Sequence, residues 1–117
     1  MNLSLYLKSD SFQSSKDLAN YFRSELIKKG LEVSVPIDND YMFSFQTQIK
    51  DKTVCFYMGK NDEQCSPPLW QIWPEQKVPF FERIFGKPDR HAEDYAKVLL
   101  EEIAQNINGV DGVEWAI

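Results

Sequence analysis

The side chains best suited to nucleophilic or general-base chemistry are few: Cys55, Cys65 and the single histidine, His91. Catalysis needs such a group together with others that fix its geometry. Cys65 follows Asp62-Glu63-Gln64, an acidic neighbourhood that disfavours a thiolate nucleophile. Cys55 falls inside an alternating strand pattern, as a small core or sheet-face residue does. His91 stands just after Pro88-Asp89 at the front of a helix and reads as a surface residue of its first turn. Two distant cysteines and one histidine do not make the four ligands of a zinc site. Asp38-Asn39-Asp40 lacks the glycine and glutamate of a calcium loop and reads as a turn. The adjacent Glu101 and Glu102 diverge by about 100° on a helix and read as solvated side chains rather than as an acid–base pair. Neither a phosphate-cradling glycine loop nor a nucleophile elbow occurs. The expectation is no catalytic set, no metal and no cofactor.

The elements that would position any site follow from hydrophobic spacing. Leu3, Leu5 and Leu7 alternate as a first strand. Ser14, three before Asp17, caps a helix whose Leu18, Tyr21, Phe22 and Leu26 share a face, and Lys28-Lys29-Gly30 ends it. Leu31, Val33 and Val35 predict a second strand ended by Pro36. Phe43, Phe45, Thr47 and Ile49 form a third, and Val54, Phe56 and Met58 a fourth, joined as a hairpin by Lys50-Asp51-Lys52. Leu69 to Trp73 is a fifth strand bounded by prolines. Val78 to Gly86 suits a short helix. From Pro88-Asp89 a second long helix shows the stripe Ala92, Tyr95, Ala96, Leu99, Ile103 and Ile107, and Gly109 stops it. Val113, Trp115 and Ile117 make a last strand. With 117 residues and no linker or repeat, the chain is expected to be one α+β domain over 1–117. A mainly antiparallel sheet of five to six strands would carry two long helices and one short helix.

Composition limits the partners. Net charge is −5, and residues 61–117 hold eleven acids against five basic residues, whereas residues 1–60 are balanced. Phosphate backbones repel such a surface, so direct nucleic-acid binding is disfavoured. Basic proteins are attracted to it. No apolar run approaches a membrane span. Met1 to Ser15 lacks a signal-peptide pattern, which leads to the expectation of a cytoplasmic chain with Cys55 and Cys65 as free thiols.

The most unusual local feature is Leu69-Trp70-Gln71-Ile72-Trp73-Pro74. In a strand, Trp70 and Trp73 face opposite sides, so one is either covered, by Phe80 to Phe85, or exposed. An exposed tryptophan beside an acidic rim is the make-up of a protein-binding hot spot. The candidate partner-binding residues are therefore Asp62, Glu63, Trp70, Trp73, Glu93, Asp94, Glu101 and Glu102.

In its size, its acidity, its α+β layout and its lack of a catalytic set, the chain resembles the small acidic immunity proteins of bacterial toxin–immunity pairs, contact-dependent inhibition systems included. Its C-terminal half is similar to small bacterial proteins with a Trp-containing strand, an Ile-Phe-Gly turn and a final Val-x-Trp strand. Those are here Trp70-Gln71-Ile72-Trp73, Ile84-Phe85-Gly86 and Val113-Glu114-Trp115. The resemblance implies one-to-one, non-enzymatic binding to a basic toxin domain, often a nuclease. Two alternatives stay open. One is a small enzyme or accessory subunit using Cys65 or His91. The other is a ligand- or peptide-binding module on a sheet face lined by Tyr57 and a tryptophan.

Overall fold

The computed structural model describes residues 3–78, 84, 86 and 90–117. In chain order the elements are β1 (Ser4–Lys8), α1 (Ser15–Lys28), β2 (Ile37–Asp38), β3 (Phe43–Ile49), β4 (Lys52–Lys60), β5 (Leu69–Gln76), α2 (His91–Gln105) and β6 (Asp111–Ala116). The six strands form one sheet in the order β2-β3-β4-β5-β1-β6, every neighbouring pair antiparallel. The fold is α+β, as expected, with two long helices among the described residues. The expected short helix over Val78 to Gly86 falls mostly outside the described residues, as does the Pro88-Asp89 start of the second long helix.

The helix α1 begins where the sequence says it must. Ser14 is extended, and its Oγ accepts the Asp17 N–H at 3.1 Å, satisfying one of the donors a helix start leaves open. Leu18, Ala19, Phe22 and Leu26 are buried along one stripe. At the far end Gly30 takes φ +95°, a left-handed conformation open to glycine, so the chain reverses after the last turn. The β3–β4 hairpin turns on Lys50 and Asp51, at φ +50° and +65°. Both signs match the strand twist of a two-residue type I′ turn.

One face of the sheet is dry. Leu5 and Leu7 of β1, Phe45 and Ile49 of β3, Val54, Phe56 and Met58 of β4, and Trp70 and Ile72 of β5 pack against both helices. Trp70 is 1% exposed, its indole N–H donates to the Ser9 carbonyl at 2.9 Å, and Phe12 meets its ring edge-on at 5.9 Å. The partner required by a buried indole is thus present.

Four expectations need correction. Leu31 to Val35 is not a strand: only Val33 bridges, to Thr47, while Val35 is 70% exposed. The pairing strand is Ile37–Asp38, beyond Pro36. The fifth strand is not closed by Pro74 but runs on to Gln76. On its β1 side β5 is paired only from Leu69 to Ile72, and the Gln76 N–H points away from β4, to Glu93. Residue 74 faces the same way as 76, so a proline there removes no ladder bond. Tyr95 lies off the apolar stripe of α2, exposed, under the Lys50 ammonium at 5.4 Å from its ring centroid. The buried stripe instead includes Leu100 and Ala104. Finally, α2 stops at Gln105, ahead of Gly109, and β6 stops at Ala116, with Ile117 exposed.

Candidate functional site: the open sheet face and the loop end

The other face of the sheet carries neither of the two described helices. Strand alternation puts Tyr6, Ser44, Gln46, Cys55, Tyr57, Gln71, Trp73 and Glu75 there. Direct cross-strand pairing runs Ile37 to Ser44, Ser44 to Tyr57 and Tyr57 to Trp73, one row across four strands. In that row the Tyr57 and Trp73 rings stack at 5.5 Å between centroids and 20° between planes. Both are half-buried. Burial raises the Tyr57 phenol above its ordinary range, with Cys55 and Glu75 adding in the same direction. In the next row Cys55 pairs with both Gln46 and Glu75, and its Sγ lies 3.9 Å from the Gln46 Oε1. Gly59 also looks onto this face. A Cβ there would meet the Tyr41 carbonyl oxygen at 3.1 Å and the Met42 Cβ at 3.3 Å. The turn before β3 therefore folds over the face at that corner and leaves Tyr41 90% exposed.

The topology also brings charge together at one end. β1 leaves the sheet at Lys8, β3 enters at Phe43, β4 leaves at Lys60, and β5 and β6 enter at Leu69 and Asp111. Antiparallel registers (Phe43 opposite Met58, Lys60 opposite Trp70, Lys8 opposite Leu69 and Asp111) place all of these at the same end. The start of α1 joins them, because the Lys60 N–H donates to the Ser15 Oγ at 3.2 Å. This loop end carries Asp10, Asp17, Asp38, Asp40, Asp62, Glu63 and Asp111, all exposed, against Lys8, Lys16 and Lys60. Among the described residues no ion pair engages any of the seven carboxylates. At the opposite end Lys50, Lys52, Lys77 and Arg90 balance Asp51, Glu75, Glu93 and Asp94.

The sequence candidates are thus not one patch. Asp62 and Glu63 sit at the acidic loop end. Trp73 is on the open face. Trp70 is inside the core and presents no surface. Asp94, Glu101 and Glu102 lie on α2, on the other side of the sheet, and Glu102 is paired with Lys29 at 3.0 Å. Glu93, expected on the outer side, is buried. Its Oε1 accepts the Gln76 backbone N–H at 3.0 Å and an Arg90 N–H at 3.3 Å, while the Gln76 Oε1 accepts the Glu93 N–H at 3.2 Å. This reciprocal clamp fastens the first turn of α2 to the end of β5 and satisfies an orphan helix donor. The acidic C-terminal half is therefore split between two faces and one end, and the loop end has its acidic excess only when acids from both halves are counted. Asp10, Asp17, Asp38 and Asp40 were missed because they belong to the charge-balanced half.

Cys65 and His91 are at opposite ends of the sheet, one after β4 and the other opening α2, so the fold does not bring thiol and imidazole together. Both cysteines are free. Among the described residues no group of three or more His, Cys, Asp or Glu side chains has metal-holding geometry, and no helix is long and apolar enough to cross a membrane. A cleft of about 540 Å³ opens beside the aromatic stack, lined among the described residues by Cys55, Tyr57, Glu75, Gln76, Lys77, Val78, Arg90 and Glu93. Comparison with protein-family models, with curated proteins and with solved structures finds no match.

Proposed function

We propose that the chain is a non-enzymatic inhibitor of the immunity type, acting in the cytoplasm by binding a basic toxin domain one-to-one. The observation that carries this reading is the acidic loop end, where seven exposed carboxylates face three lysines. Such a field speeds encounter with a basic partner and holds its orientation before short-range contacts form. Inhibition then needs only occupancy. The acids of α2 do not contribute, since they face away from the sheet side on which Trp73 lies.

The test is growth protection. The chain is expressed together with the product of the gene beside its own. Protection of the host, lost when Asp40, Asp62 and Glu63 are changed together to the amides, supports the reading. A neighbouring product that is harmless, or whose toxicity is undiminished by the unaltered chain, contradicts it.

A further inference from the structure

We propose that the stacked Tyr57–Trp73 pair is an arginine slot, receiving a guanidinium from the basic partner that docks at the acidic end. The inference rests on the docking reading above and adds the chemistry of the anchor. Tyr57 lies three residues before Lys60, so the stack is about 10 Å along the strand from the loop end. A standard interface covers roughly 800 Å² per partner, a disc about 30 Å across. A protein centred on the acidic end therefore overlies the stack.

Three features of the slot select the ligand. The two rings lie nearly parallel, at 20°, and neither has a further ring or cation partner among the described residues. No described ring or cation covers their outward surfaces. Of the neighbouring open-face side chains, Ser44, Gln46 and Cys55 are uncharged, Glu75 stands in the next row, and Lys77 comes one row further, on the side away from the loop end. The partner that the acidic end attracts is rich in Lys and Arg, and of those two, arginine is the one that stacks. Its guanidinium is flat and weakly hydrated, whereas an ammonium holds its water and gains less over an aromatic face. Trp and Tyr backed by a strand also lose little freedom on contact, which is why they serve as anchors.

The experiment uses the intact chain and two capped peptides of equal length and charge, one with four arginines and one with four lysines, each spaced by glycine and serine. Binding is followed at low salt by the indole N–H resonance of Trp73. Its loss in Trp73→Leu assigns that resonance and separates it from those of Trp70, whose N–H is held by Ser9, and Trp115. Expected is a midpoint about three- to fivefold lower for the arginine peptide, with the Trp73 resonance shifting. In Trp73→Leu, and independently in Tyr57→Leu, both read from the backbone amide resonances of the loop end, that preference disappears while the weaker, salt-sensitive binding persists. Equal midpoints for the two peptides in the unaltered chain overturn the slot and leave acidic docking standing. Absence of binding by either peptide at low salt overturns both.

Discussion

Trp70 and Trp73 stand three residues apart on one strand and have opposite fates. Trp70 is sealed between the sheet and Phe12 with its N–H bonded. Trp73 lies on the bare face against Tyr57. The same residue type thus serves cohesion on one side of β5 and is left available on the other. The buried core lies under the two helices, and the candidate binding surface is the side that the described helices leave uncovered.

The contrast can be broken most sharply by truncating each ring. Trp70→Ala empties a fully packed site and should cost about 3–5 kcal/mol in chemical denaturation. Trp73→Ala should cost about 1 kcal/mol, the loss of a half-buried stacking pair. Equal costs would mean that the open face is part of the core. A smaller effect separates Glu93 from Asp94. Glu93→Ala strands the Gln76 N–H and should destabilise by about 2 kcal/mol. Asp94→Ala, one residue along on the exposed side, should stay within about 0.5 kcal/mol.

The division into faces also depends on register, since a one-residue slip in the hairpin would exchange them. Lys50 and Asp51 hold that register from backbone angles that favour Asn and Gly. Asp51→Gly should therefore stabilise by about 0.5 kcal/mol, read as a raised unfolding midpoint. The smallest expected effect is alkaline. The Tyr57 phenol is raised in the fold, so its contribution is complete below the ordinary value of about 10 and is lost as pH climbs through the folded value. Tyr57→Phe should flatten the decline of stability above pH 10. Tyr21, raised by burial and then by Glu25, should keep a residual slope.

Local chemistry was legible in the sequence wherever neighbours along the chain decide the outcome. Ser14, Asp17 and the Leu18–Leu26 spacing determine α1 without help from elsewhere. The alternation around Lys50-Asp51 determines the β3–β4 hairpin and which of its residues are dry. Legibility failed where partners are distant. Pro74 looked like a stop because the short reach of β1 along β5 is not written in β5. Glu93 looked solvated, although it falls seven and eleven residues before Leu100 and Ala104, on their side of the helix. Extending the stripe to those two residues would have revealed its burial. The acidic end was invisible for the same reason. Strand order assembles it, bringing Asp38 and Asp40 to the same end of the sheet as Asp62 and Glu63 from segments more than twenty residues apart.

The most direct test of the proposed docking at the loop end compares two charge-matched triple variants in stopped-flow association at low salt with the basic domain that the proposed function calls for. Asp40→Asn, Asp62→Asn and Glu63→Gln together alter the loop end. Asp94→Asn, Glu101→Gln and Glu102→Gln together alter α2 by the same charge. Expected is a loss of about tenfold or more in association rate for the first set and little change for the second. Equal slowing by both, or slowing by the α2 set alone, would contradict docking at the loop end.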